Sequence, residues 1–404
     1  PENIRSTRHS VLNLSPSSSP SSAASGKASA DLDVLLGPMA EDDLKLVKAE
    51  EEPIGDLEAN ATESPVVKLV NFIIKSAVES RASDIHIEPE ENTFRVRFRV
   101  DGDLVESIRP PSKLLPAVVS RIKILAGLDI SERRLPQDGA MTVTLSSRPI
   151  DLRVSTMTTK FGEKVVLRIV DRDAAVKGLD TLGFEPRMLK RFRDVVQAAD
   201  GIVLVTGPTG SGKTTTLYSA LSEIVSARYN ISTIEDPVER RLSGTNQFQI
   251  NNAAGFTFAS ALRSLLRQDP DVIMVGEIRD TETAKLATEA ALTGHLVLST
   301  LHTNDAPTAV PRLINMGVEP YLVAASLRAV LAQRLVRQIC PHCRVVHPHS
   351  DTARETLLHL CKGELPMESS FIGKGCGHCR ALGYKGRIGV FELLTLNEEM
   401  LSVI

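Results

Sequence analysis

Eight consecutive residues, Gly207, Pro208, Thr209, Gly210, Ser211, Gly212, Lys213 and Thr214, match the spacing G-x-x-x-x-G-K-[ST] in full. Glycines at these positions let backbone N–H groups converge on phosphate oxygens, and a helix starting at the lysine adds positive potential. Lys213 then gives a point charge to the β- and γ-phosphates, and the Thr214 hydroxyl is placed to ligate Mg²⁺. This is the chemistry of holding a nucleoside triphosphate, ATP foremost, ready for hydrolysis.

Hydrolysis also needs a group that orients or deprotonates water. The run Asp271-Val272-Ile273-Met274-Val275-Gly276-Glu277 is an apolar strand ending in an acid. Gly276 stands where a metal-supporting Asp is usual, so Glu277 is the candidate base, and support of Mg²⁺ passes to water-mediated contacts. The alternative is that Glu277 merely pairs with Arg279. Glu235 and Asp236, in Ile234-Glu235-Asp236-Pro237, are strand-end carboxylates that could polarise water or hold metal-bound water. Asp-Pro is equally a common turn pair. His302 closes a second apolar strand, where α/β sheets place ligands, although a lone His is more often a structural hydrogen-bonder.

Cys340-x-x-Cys343 and Cys376-x-x-Cys379 form a second constellation. Two such knuckles can place four thiolates tetrahedrally around a structural Zn²⁺. With four sulfurs no coordination position is left for catalysis. His342 and His378 are spare, and Cys361 reads as an ordinary buried residue. Asp84, His86 and Glu88 share one strand face, which reads first as solvated and second as a metal site. Arg95, Arg97 and Arg99 also read first as a solvated face, and second as an acid-binding stripe between subunits.

These residues need elements to carry them. Residues 15–30 are rich in Ser, Pro and Ala and residues 41–58 are acidic, so residues 1–60 are expected to be a disordered linker with at most a short helix. Ser64 and Pro65 open a helix with apolar residues at Val66, Leu69, Val70, Ile73, Ile74 and Ala77. Period-two alternation follows at Ile85 and Ile87, and at Phe94, Val96, Phe98 and Val100, giving an antiparallel sheet with one polar face. A helix over 114–126 and strands over 141–145, 150–155 and 164–169 complete an α+β domain spanning 61–176. Beyond it, continuous apolar strands at 202–206, 230–234, 272–275 and 296–300 alternate with helices, the pattern of a buried parallel sheet in an α/β domain spanning 177–404. The tetracysteine segment, 340–384, is inserted in it.

Composition narrows the class. Apolar residues make up 42% of the 404 and charged residues 24%, enough for sizeable cores. A net charge of −3 argues against nucleic acid as the main partner. No apolar run reaches the roughly 18–20 residues a membrane span needs, and no secretory signal follows Pro1. Five cysteines without such a signal point to metal or free thiol. A first residue other than Met fits a piece of a longer protein.

Taken together, GPTGSGKT, TIEDPVE, RQDPDVIMVGEIRD and TGHLVLSTLHTND resemble the Walker A motif, Asp box, atypical Walker B motif and His box of the secretion ATPase superfamily, specifically the assembly ATPases of type II secretion and type IV pili. RASDIHIEP, RRLPQDG and DLRVSTM resemble that family's second N-terminal domain, so the likeness runs over residues 65–400. It implies a RecA-like P-loop ATPase domain with a zinc-binding insertion, preceded by a smaller PAS-like α+β domain. It further implies a cytoplasmic homo-hexamer with nucleotide between the two domains, and Arg153 and Arg168 reaching the γ-phosphate as catalytic arginines. The implied partners are an inner-membrane platform protein and a recruiting protein at the cytoplasmic membrane, with the enzyme peripheral on the inner membrane through them. A DNA-translocating member of the superfamily, serving conjugation or DNA uptake, is the alternative. Ala140 replaces a usual Arg, Arg240 and Arg241 follow the Asp box where acidic or aromatic residues are usual, and the chain is short at both ends by this likeness.

Overall fold

Two kinds of strand pattern build two kinds of sheet. A computed structural model describes residues 44–46, 65–145, 148–171, 175–226, 228–361 and 369–401. In the N-terminal part, α1 (Pro65–Glu79) precedes β2 (Asp84–Pro89), β3 (Phe94–Val100) and β4 (Asp103–Ile108), with β1 (Leu44–Leu46) upstream. Then follow α2 (Leu115–Leu125), β5 (Gln137–Leu145), β6 (Arg148–Thr159) and β7 (Gly162–Val170). The seven strands form one antiparallel sheet in the order β1-β5-β6-β7-β2-β3-β4. The apolar positions of the alternation, among them Ile85, Ile87, Phe94, Val96, Leu152 and Leu167, are buried against α1 and α2. The intervening charged residues occupy the other face, as period two requires.

Leu44–Leu46 adds an edge strand, with Leu44 opposite Leu145. That corrects the expectation of at most a short helix there: Leu-Lys-Leu alternates and finds an unpaired sheet edge. The rest of the expected linker, 1–60, lies outside the described residues.

The C-terminal part begins with α3 (Pro186–Val196) and β8 (Gly201–Thr206), then α4 (Lys213–Ile224), β9 (Ile231–Glu235), β10 (Asn246–Gln249), α5 (Phe258–Leu265) and β11 (Val272–Val275). It continues through α6 (Thr281–Leu292), β12 (Leu296–Leu301), α7 (Ala309–Asn315), α8 (Pro320–Ser326) and β13 (Leu327–Ile339). The strand order is β10-β9-β11-β12-β8-β13-β16, parallel except for the last pair. Every residue of β8, β11 and β12 is buried, because helices cover both faces and continuous apolar runs are what such strands need.

The last strands leave the sheet. β13 pairs with β8 only as far as Ala332 opposite Thr206, but with β16 (Tyr384–Thr395) through to Ile339 opposite Tyr384. The resulting arm carries the cysteines, with β14 (Arg344–Pro348), α9 (Asp351–Leu360) and β15 (Ser369–Gly373) between them. The N-terminal part docks on this arm: Arg337 pairs with Asp103, Arg380 bonds Ser80, and the Gly386 N–H donates to Asp101 at 2.6 Å. Among the described residues, no helix is long and apolar enough to cross a membrane.

Candidate active site and metal centre

The phosphate loop joins β8 to α4. Gly207, Gly210 and Gly212 have φ of +147°, +78° and +87°, the region open to glycine. At Gly207 space is short as well, since a Cβ would stand 2.5 Å from the carbonyl oxygen of Gln333. The Gln333 side chain braces the loop from β13, donating to the Ser211 carbonyl at 2.7 Å and accepting from the Thr216 hydroxyl at 2.7 Å. Lys213 Nζ donates to the carbonyls of Gly207 at 2.9 Å and Pro208 at 3.2 Å. Burial lowers its pKa, with Glu277 opposing and Arg334 reinforcing the effect. Among the described residues, the buried Ser211 Oγ has no hydrogen-bond partner. Thr214 lies on the first turn of α4.

Strand order brings the other candidates to this edge. β12 lies between β8 and β11, so the segments after these three strands are neighbours. The Thr206 hydroxyl lies 2.7 Å from that of Thr303 and accepts the Thr303 N–H at 2.8 Å, while Thr300 Oγ1 donates to the Gly276 carbonyl at 2.8 Å. Glu277 is mostly buried; it pairs with Arg279 at 2.5 Å and has His302 Nε2 at 3.7 Å. The ion pair weighed as the alternative for Glu277 is thus formed, and beside it the carboxylate keeps His302 and Lys213 in electrostatic reach.

Glu235 sits differently. Its carboxylate is buried and accepts from Thr233 Oγ1 at 2.6 Å, Gln247 Nε2 at 3.2 Å and the Tyr218 hydroxyl. Burial raises its pKa. Both oxygens are engaged and neither faces open water, whereas Asp236, one residue on, is exposed. Beside the loop, a cavity of about 850 Å³ opens between the two parts, walled by Gly212, Thr215, Thr216 and Tyr384 of the C-terminal part and by Arg81 and Asp101 of the N-terminal part.

Arg153 and Arg168 lie directly opposite each other on β6 and β7. Arg168 Nε donates to Asp84 at 3.1 Å and the guanidinium is largely exposed. Among the described residues, neither arginine has a hydrogen bond or ion pair to the phosphate loop. The Asp84–His86–Glu88 face is an ion-pair lattice: Glu88 binds Arg97 at 2.8 Å and Lys164 at 3.1 Å, and Arg99 approaches Asp84 at 3.8 Å. His86 sits between, its pKa lowered by burial.

The four cysteines converge. Cys340–Cys376, Cys343–Cys379 and Cys376–Cys379 sulfurs are 3.9, 3.8 and 3.7 Å apart. A tetrahedral site with Zn–S bonds of about 2.3 Å requires sulfurs about 3.8 Å apart, so the donor set fits zinc. Backbone N–H groups of Cys376 and Gly383 both point at Cys379 Sγ at 3.2 Å, favouring a thiolate there. Burial pushes the Cys343 thiol up to about 12 without metal. His342 and His378 are outside the sulfur cluster and stack on each other, ring centres 4.0 Å apart. Cys361, expected to be a buried residue, is exposed instead, at the end of α9.

Gln333 and Arg334 escaped the sequence reading. They sit on a strand with no motif, and only the pairing of β13 with β8 brings them to the loop.

A family profile described as Type II/IV secretion system protein matches residues 59–404. The chain belongs to this family. Among its relatives, the type IV pilus assembly ATPase PilB of Myxococcus xanthus is 51% identical over 356 residues, covering 87% of this chain and 62% of that protein. The type II secretion system protein E of Klebsiella pneumoniae is 48% identical over 358 residues, covering 88% of this chain and 71% of that protein. The secretion-family chain therefore spans about three fifths of the length of the Myxococcus relative. The crystal structure of the pilus retraction motor PilT with bound ADP superposes with a TM-score of 0.55 at 27% identity, covering 82% of this chain and 84% of that one.

Proposed function

We propose that this secretion-family protein hydrolyses ATP and uses the energy to drive a type II secretion or type IV pilus assembly machine. One observation carries the reading: the phosphate loop, Glu277 and His302 meet at the C-terminal edge of β8, β12 and β11, where α/β sheets place ligands. Lys213 leaves its carbonyls for the β- and γ-phosphates and the loop N–H groups hold their oxygens; Thr214 would hold Mg²⁺, which when bound would offset the charge of the phosphates. Glu277 takes the proton of the attacking water while the water oxygen bonds to the γ-phosphorus and the bond to the ADP oxygen breaks. His302, beside Glu277, faces the departing phosphate. Asp236 stands ready for metal-bound water, and Glu235 acts as a positioning residue, its hold on Tyr218 fixing α4 against the end of β9. The cavity beside the loop accommodates the nucleoside.

By the same reading the C-terminal part, 177–404, is a RecA-like domain and the N-terminal part, 61–176, a PAS-like one. Arg153 and Arg168 serve a γ-phosphate held by another copy in a homo-hexamer, where they offset charge on the transferred phosphoryl. Cys340, Cys343, Cys376 and Cys379 hold a structural zinc that closes the arm. The ring works at the cytoplasmic face of the inner membrane through a platform protein and a recruiting protein. Steady-state ATP turnover tests the core of this. Glu277→Gln and Lys213→Ala should each lower kcat by about 10²-fold or more; full turnover in either variant rejects the mechanism.

A further inference from the structure

We infer that Arg334 is a second phosphate-binding cation of the loop, supplied by the same chain, and that it reads the γ-phosphate and so separates ATP from ADP. The inference rests on the nucleotide reading above.

Position comes first. β13 flanks β8 on the side away from β12, and Ala332 pairs with Thr206, the last residue before the loop. Gln333 and Arg334 therefore run on alongside the loop itself. A Cβ on Gly207 would meet the Gln333 carbonyl at 2.5 Å and Arg334 Nη1 at 3.3 Å, so the guanidinium rests on the first loop residue. Lys213 places its ammonium on the carbonyl of that same residue. Two cations thus share one end of the loop.

Partners come second. Arg334 Nη1 donates to the Gln333 carbonyl at 3.1 Å and Nη2 to the Asn304 carbonyl at 2.7 Å. Among the described residues it has no ion pair. Asp305 is nearby: hydrogen bonds from Thr308, its N–H at 2.8 Å among them, hold the Asp305 carboxyl below its usual range, and the Arg334 charge adds to this without a direct pair. A half-buried guanidinium on neutral carbonyls keeps its charge uncompensated by direct pairing, and its planar fork suits two phosphate oxygens. The two cations also disfavour each other, for Arg334 contributes to the lowered pKa of Lys213.

The choice of phosphate follows from the neighbours. A loop lysine serves the β- and γ-phosphates. Asn304, which anchors Arg334, is two residues from His302, and His302 faces Glu277, where water is activated. Arg334 therefore reaches in from the γ side.

The test is equilibrium binding of a non-hydrolysable ATP analogue and of ADP to the full chain, with a thermal melt for each variant. Arg334→Gln should weaken the triphosphate roughly 10- to 100-fold, the range expected for lost charge-assisted hydrogen bonds, and ADP less than about threefold. Arg334→Lys keeps the charge without the fork and should lose part of the selectivity. Equal loss for both nucleotides, or no loss for the triphosphate, overturns the inference and leaves Arg334 as a brace for the Asn304 segment. Should Arg334→Gln fail to melt cooperatively, the Lys variant decides: unchanged ATP-over-ADP selectivity overturns it. If the unaltered chain binds neither nucleotide, the underlying nucleotide reading falls, and this inference with it.

Discussion

The two sheets treat charge in opposite ways. On the polar face of the N-terminal sheet, cations meet carboxylates: Arg97 and Lys164 meet Glu88, and Arg168 meets Asp84. At the edge of the parallel sheet Glu277 pairs with Arg279, but Lys213 and Arg334 rest on backbone carbonyls. Matched charges hold a surface together, whereas cations held on neutral dipoles keep their charge for a ligand. The second pattern marks where the chain is built to react; in the first, Arg168 is the exception, a largely exposed cation that the proposed function sends to a γ-phosphate.

Four experiments can break or sharpen that contrast. The largest effect should come from the one place where unpaired thiols are concentrated. Stripping metal by chelation, or Cys376→Ser, should release about one zinc per chain and open the arm to protease between Cys340 and Tyr384, since structural zinc contributes roughly 10 kcal/mol or more in small metal-dependent folds. A chain that keeps its protease resistance without zinc would show that β13 and β16 hold the arm unaided.

Next is the N-terminal lattice. Burial alone would raise the Glu88 pKa, but Arg97 and Lys164 overcome it and hold it down at about 2, against 4.5 for an ordinary Glu. Because the folded value is the lower one, the stabilisation is full above pH 4.5 and is lost as pH falls through about 2. Urea unfolding of Glu88→Gln should therefore show a loss of about 2 kcal/mol at pH 7 that shrinks between those limits. A loss independent of pH would mean that the lattice contributes by packing alone.

Tyr218→Phe should cost on the order of 1–2 kcal/mol, because it strips one donor from the buried Glu235 carboxylate. It should also lower turnover less than Glu277→Gln does; an equal loss would move Glu235 into the chemistry. The smallest stability effect belongs to the loop. Lys213→Ala should shift unfolding by under about 1 kcal/mol in the absence of nucleotide, since a desolvated cation on carbonyls contributes little to the fold. A penalty matching that of Glu88→Gln would erase the distinction between the two sheets.

How much of this was legible beforehand follows the same division. The glycines of the loop, the paired CxxC knuckles and the alternation in β3 are local signals, and each lands where its spacing points. Glu277 was found through an apolar strand ending in an acid, though its ion pair with Arg279 could only be weighed, because side-chain pairing depends on a turn the sequence does not specify. Glu235 carried the same strand-end signal yet is sealed by Tyr218, Thr233 and Gln247, residues brought together by helix and strand packing. Gln333 and Arg334 had no signal at all. Their meaning comes from strand order, a long-range property that period and propensity do not encode.

One consequence of β13 is mechanical. The strand runs 13 residues, from the sheet core past the loop to the first residue of the cysteine cluster. From Gln333 to Ile339 it reaches about 20 Å at the usual rise per residue. A tilt of about 10° at the loop would swing its far end by roughly 3 Å, and the docked Asp103 would travel with it. The strand that braces the phosphate loop is thus built as a lever arm, with its fulcrum at that loop and its load at the N-terminal part.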